Sequence, residues 1–253
     1  MQHSQSFISC AVAGALCFAF PSLNATESDA SIEASIAKTY VYRTYLKDDA
    51  VKTEVVDGVV TLTGQVGEMN HKYMAQEVAA GFPGVVKVEN KLEVKIEGTE
   101  KSDAWIKSKV RSVLELHRNV SDSNTQVDIK DGVITLRGEA TDNIQRDLAT
   151  AYAEDIKEVV RVINVMTIIA SPQKPSSIAT EIIDDESIAA MVRTALANHR
   201  STSSIRTKVQ VVNGEVSISG IAQNEAERST VSRLVADLHG VASVNNLMVV
   251  NGQ

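Results

Sequence analysis

The sequence predicts an α+β protein of three tandem α-β-β-α-β modules, each a three-stranded mixed sheet packed on two helices. Two observations carry this prediction. A segment recurs as Asp57-Gly58-Val59-Val60-Thr61-Leu62-Thr63-Gly64, as Asp131-Gly132-Val133-Ile134-Thr135-Leu136-Arg137-Gly138 and as Asn213-Gly214-Glu215-Val216-Ser217-Ile218-Ser219-Gly220. Around each copy, apolar residues switch from helical spacing to strict alternation and back again. The copies are offset by 74 and then 82 residues, so the internal spacing is fixed and only a linker has grown. Self-similarity of this kind outranks any local motif and divides the chain into modules at 29–98, 99–170 and 181–253, with a spacer at 171–180.

Each element follows in order. Ile106, Val110, Val113, Leu114 and His117 lie at helical spacing behind Asp103, a good N-cap residue. Ile32, Ile36, Thr39, Tyr40 and Arg43 repeat the stripe in module one, and Ile188, Val192, Ala195, Leu196 and His199 in module three. Two alternating runs come next, such as Val127, Ile129 and Ile134, Leu136. An Asp-Gly or Asn-Gly pair joins them, the residue pair that accepts positive φ at both positions of a two-residue hairpin, so Gly58, Gly132 and Gly214 are turn glycines. Gly64, Gly138 and Gly220 are expected to end the second strand, at a bulge or a close backbone approach. A second helix should begin near Glu68, Asp142 and Asn224, with Leu148, Tyr152, Ala153 and Ile156 in the core. The last run alternates again, with Val86, Val88, Leu92 and Val94 in module one and Val160, Val162, Met166 and Ile168 in module two. A helical connection back to the sheet makes one strand pair parallel. Strand order does not follow from these patterns.

Modules of about 70 residues bury only thin cores, which leaves little room for a deep enclosed active site. The net charge is -7, with Lys and Arg outnumbered in every module: 8 against 11 acidic residues in 29–98, 10 against 12 in 99–170 and 7 against 8 in 171–253. A nucleic-acid partner is therefore not expected, because phosphate neutralisation needs a basic field. Cys10 and Cys17 both lie in the apolar run from Phe7 to Phe20. With Pro21-Ser22-Leu23-Asn24-Ala25 behind it, this run has the length and flank of a secretory signal peptide, expected at 1–25. Its removal would leave an exported mature chain without cysteine. Between modules one and two only Gly98-Thr99-Glu100-Lys101-Ser102 intervenes. The spacer before module three, Ser171-Pro172-Gln173-Lys174-Pro175-Ser176-Ser177, suggests an extended segment that gives that module more freedom.

These motifs resemble the BON domain, found in tandem in periplasmic osmotically inducible protein Y-like proteins. The resemblance rests on the helix, the V-x-V-x-[DN]-G-x-V-x-L-x-G hairpin, the second helix and a closing G-V-x-x-V-x-N. That closing signature stands at Gly84-Val85-Val86-Lys87-Val88-Glu89-Asn90 and Gly240-Val241-Ala242-Ser243-Val244-Asn245-Asn246, with Glu158 replacing its glycine in module two. The resemblance implies a non-enzymatic envelope protein, linked to osmotic stress, that contacts phospholipid surfaces or acts as a chaperone or adaptor for other envelope proteins. It supplies no catalytic residues.

The residues themselves offer little chemistry. There is no nucleophile elbow, no phosphate loop and no dinucleotide fingerprint, so no cofactor and no small-molecule substrate are expected. His117 and His199 share a slot that Arg43 fills in module one, which reads as a cation at a helix C-terminus. His71 and His239 read as isolated, and no metal is expected. Trp105, the only tryptophan, aligns with Ser31 and Ser187, so its position is expected to face solvent. Trp105, Lys109, Ser112 and Leu116 share a helix flank away from the core stripe, and Lys38 and Tyr42 occupy that flank in module one. Such a flank could anchor in a lipid interface, where tryptophan prefers the headgroup region, or pack against a neighbouring module. Its counterpart in module three, Met191, Thr194 and Asn198, differs in character. Module two is accordingly the expected contact module.

Overall fold

The computed structural model describes residues 29–95, 101–120, 125–169, 182–202 and 207–251. The expected signal peptide at 1–25 and the whole Pro/Ser spacer at 171–180 lie outside these residues. Module one consists of α1 (Asp29–Lys38), α2 (Tyr40–Thr44), β1 (Ala50–Val56), β2 (Val59–Val66), α3 (Met69–Gly81), β3 (Lys87–Asn90) and β4 (Glu93–Val94). Module two has α4 (Asp103–Leu116), β5 (Gln126–Lys130), β6 (Val133–Arg137), β7 (Glu139–Ala140), α5 (Asn143–Glu154), β8 (Arg161–Asn164) and β9 (Thr167–Ile168). Module three has α6 (Asp185–Asn198), β10 (Thr207–Val212), β11 (Glu215–Ala222), α7 (Glu225–Ala236), β12 (Ser243–Asn246) and β13 (Val249–Val250).

The hairpin strand is central in every module. β2 pairs antiparallel with β1 and parallel with β3, and the same order holds for β5-β6-β8 and β10-β11-β12. The hairpin turns have positive φ at both residues, 51° and 74° at Asp57 and Gly58. Gly64, however, does not end its strand. β2 runs on to Val66, and its last residues pair with β4. The glycine is required there because φ is 114° and a Cβ would stand 1.8 Å from the Ala50 carbonyl oxygen. Gly220 likewise lies within β11, while Gly138 separates β6 from β7.

The aspartate that opens the first helix does not cap it. Asp103 accepts from the turn N–H groups of Asp131 and Gly132, at 2.8 and 3.0 Å, and Ser102 is the N-cap of α4. Asp29 and Asp185 hold their own hairpin turns in the same way. The closing asparagine acts alike in all three modules, tying the last strand to the second helix. Asn164 Nδ2 donates to the Arg146 carbonyl of α5 while its Oδ1 accepts from Met166 N–H, and Asn90 and Asn246 make the corresponding pairs. Val86 and Val160 precede their strands and project outward, so the last run's alternation begins two residues later than expected.

The modules pack into one body. Modules one and three share a continuous apolar core, joined by Leu116 of module two, while the rest of module two builds a core of its own. α3 against α6 is the main helix pair between modules. The first helix of module one breaks at Thr39 (φ -62°, ψ 154°), unlike the continuous α4 and α6. This break frees the Tyr40 and Val41 N–H groups, which donate to Asp184 Oδ2 and Ser187 Oγ of module three at 2.7 and 3.0 Å. Module three is therefore not the freer one; α6 packs against α3 of module one, and its Met191 and Thr194 are fully buried.

Candidate functional site

The flank chosen from sequence faces its neighbours. Ser187, the counterpart of Trp105, is fully buried, so a polar residue at this slot marks an inter-module hydrogen bond rather than solvent. Ser112 is buried and donates to Glu68 of module one, and Leu116 sits in the shared core. Trp105 and Lys109 are half buried. The ammonium lies 4.4 Å from the indole centroid and 3.0 Å from Glu158 Oε2. Both line a crevice of about 300 Å³ with Lys72, Tyr73, Gln76 and Asn198, contributed by all three modules. Lys38 and Tyr42 are not among its lining residues: Lys38 is exposed at the end of α1, and Tyr42 packs on the shared core, where burial pushes its phenol up to about 12.

His117 and His199 are not dipole-paired surface cations. They occupy related places on a pseudo-twofold contact between modules two and three. His117 bridges to Leu238 and His199 to Ile156, while Arg118 N–H donates to the Asp237 carbonyl at 3.0 Å and Arg200 N–H to the Asp155 carbonyl at 2.7 Å. His199 Nδ1 accepts from Ser201 N–H, so its proton sits on Nε2, 3.1 Å from Asp155 Oδ2. His117 is fully buried and stacks on Tyr152 at 3.8 Å with the rings 7° from parallel. Burial lowers its pKa, and Asp237, 3.4 Å from Nδ1, opposes this only in part. The Tyr152 hydroxyl donates to the same carboxylate.

His71 is not isolated either. Its Nδ1 lies 2.6 Å from Asp49 Oδ2, and Glu68, three residues before it, approaches together with Glu115 of module two. One ligand-type atom from each of Glu68, His71 and Glu115 lies within 4.8 Å of the others. Arg111 stands 3.5 Å from Glu68 and 3.9 Å from Glu115. Burial, and then the Glu68 charge, hold the Glu115 carboxyl above the usual range. The spacing Glu68-x-x-His71 was visible in sequence; the third carboxylate was not, because another module brings it.

One further surface carried no motif. Along β8, β9 and their flanks, Val160, Ile163, Val165, Ile168 and Ile169 are between 37% and 75% exposed. Lys157 and Arg161, also exposed, bracket Val160. The aligned residues of module one are Val86, Glu89, Lys91, Val94 and Lys95, and those of module three Ala242, Asn245, Leu247, Val250 and Asn251, so only module two is apolar throughout. No helix among the described residues is long and apolar enough to cross a membrane.

Several curated proteins are similar to parts of this chain. Osmotically-inducible protein Y of Escherichia coli is 29% identical over 54% of this chain and 70% of its own length. The 21 kDa hemolysin of Actinobacillus pleuropneumoniae is 28% identical over 54% of this chain and 73% of its own length. The outer membrane lipoprotein DolP of Haemophilus influenzae is 31% identical over 56% of this chain and 68% of its own length. The BON domain pattern itself matches three times, at residues 28–96, 102–170 and 184–252, and each match takes in one hairpin turn held by an aspartate and one closing asparagine. With that repeat accounted for over most of its length, the chain belongs to the BON domain family.

Proposed function

We propose that this is a non-enzymatic periplasmic protein that docks on anionic phospholipid surfaces and supports the envelope under osmotic stress. The observation that carries the reading is the apolar row on module two with its two flanking cations. Exposed aliphatic side chains next to Lys157 and Arg161 suit the boundary between headgroups and acyl chains, where apolar burial and attraction to anionic lipid act together. The contact thus stays on module two but shifts from the α4 flank to the β8–β9 edge. Trp105 and Lys109 adjoin it through Glu158, two residues before Val160. The names of two relatives, one osmotically inducible and one an outer membrane lipoprotein, agree with an envelope setting.

Co-sedimentation with phosphatidylglycerol and phosphatidylcholine vesicles tests this. The protein is expected to pellet with the anionic vesicles. Arg161→Ala should weaken binding roughly fivefold, about 1 kcal/mol for one cation near the surface. Val160→Asp should weaken it at least about tenfold, the worth of an apolar side chain withdrawn from the interface. Binding unchanged in both variants would remove the proposed surface. A second reading, an adaptor for other envelope proteins, is favoured by one feature: among the described residues β8 is an edge strand of its sheet, the kind of strand to which an extended peptide can add. Saturable binding of an extended peptide that Val160→Asp abolishes, without any vesicle binding, would select it.

A further inference from the structure

We propose that Glu68, His71 and Glu115 form a site for a divalent transition metal, with Zn²⁺ the best match, that ties module one to module two. One imidazole and two carboxylates are a donor set suited to Zn²⁺, which takes three protein ligands and leaves a fourth position to water. The ligand-type atoms already lie within 4.8 Å of one another, so small side-chain rotations would close the site.

The argument turns on what the three modules do with one pair of positions. In module two the residues at the N-cap and third position of the second helix, Asp142 and Gln145, close the helix start together: Asp142 accepts from Gln145 N–H at 2.8 Å, and Gln145 Oε1 accepts from the N–H of Thr141, the residue before the cap, at 2.8 Å. In module three Asn224 accepts from Glu227 N–H at 2.8 Å and Glu227 accepts from Gln223 N–H at 2.5 Å, the same arrangement. Such a cap is worth on the order of 1 kcal/mol. Module one forgoes it. Glu68 at the same N-cap position makes no side-chain cap and turns instead to Ser112 and Arg111 of module two. His71 at the third position turns to Asp49, whose other oxygen is fixed by Gly67 N–H at 2.7 Å.

That last contact has the form of a metal site's outer support. A carboxylate on Nδ1 fixes the ring and its tautomer, and leaves Nε2 as the ligating nitrogen. The positions aligned with Asp49 are Ser123 and Ile205, so helix-start pair and supporting carboxylate depart from the repeat together. Charge points the same way. Asp49, Glu68 and Glu115 gather around His71, and among the described residues the half-exposed Arg111 is the cation that pairs with Glu68 and Glu115 and can turn to water as the ion enters.

Equilibrium dialysis of the full chain against Zn²⁺ tests the site, with circular dichroism to check folding. One equivalent is expected to bind at this site. His71→Ala and the near-isosteric Glu115→Gln should each weaken that binding at least tenfold, and Asp49→Asn should weaken it about 10-fold to 100-fold, as loss of an outer-shell carboxylate does. Bound Zn²⁺ should also raise the thermal midpoint of the wild type but not of Glu115→Gln. Binding that survives both His71→Ala and Glu115→Gln would place the ion elsewhere, for example on Cys10 and Cys17, and overturn the proposal. No saturable binding at millimolar Zn²⁺ would overturn it equally, leaving His71 as the hydrogen-bond partner of Asp49.

Discussion

Gly64 shows how little latitude single positions of this module allow. Its φ of 114° and the Ala50 carbonyl, 1.8 Å from where a Cβ would be, are two separate reasons for glycine. Gly64→Ala must therefore strain the backbone and push β1 away from β2. A loss of about 2–4 kcal/mol is expected, in the range of a strained φ plus a steric clash, and urea denaturation would measure it. A loss below about 0.5 kcal/mol would mean that the hairpin bends readily around this contact. The recurrence of glycine here was legible from the sequence. A close backbone approach was one of the two reasons the sequence offered; which backbone approaches was not legible, because the acceptor lies on the neighbouring strand. Asp103 departs from its sequence reading for a similar cause: a good N-cap residue one place too late finds a second set of unpaired N–H groups, in its own hairpin turn, and holds those instead.

Between elements, the seam of modules two and three carries a titratable group whose charged form the fold disfavours. His117 at the end of α4 is faced by Tyr152 of α5, by Asp237 and Arg118, and more distantly by His199. Its pKa is lowered in the fold, so the unfolded chain binds the proton more readily, and stability falls as pH drops through the ordinary histidine value near 6.5. The contribution is fully present only above that value. The urea midpoint should decrease from pH 7.5 to pH 5.5, and His117→Phe should flatten that decrease. Equal pH dependence in the two proteins would contradict the assignment. Helices and strands were legible because periodicity reports burial within one module. It could not show that α1 stops at Lys38, since the break at Thr39 is compensated by acceptors of module three, more than 140 residues away.

The whole molecule is a single body in which modules one and three share a core and module two turns an apolar edge outward. Sequence reasoning set Trp105 on a flank distinct from the core stripe and found that flank unlike its counterparts. Which neighbour covers it depends on how three similar modules dock, and apolar periodicity holds no information on that. The same gap hid the carboxylate that Glu115 brings to His71 and the bridge from His117 to Leu238.

The most direct measurement of this arrangement is the emission of Trp105, recorded in buffer and then during titration with phosphatidylglycerol vesicles under conditions where the protein co-sediments with them. Trp105 is half buried beside the three-module crevice, and the proposed lipid contact is the β8–β9 edge. Emission already shifted to the blue in buffer and nearly unchanged on vesicle binding is the expected result. Emission at the position of water-exposed tryptophan that moves to the blue as vesicles are added would contradict it, because the α4 flank would then be free in solution and would itself enter the membrane.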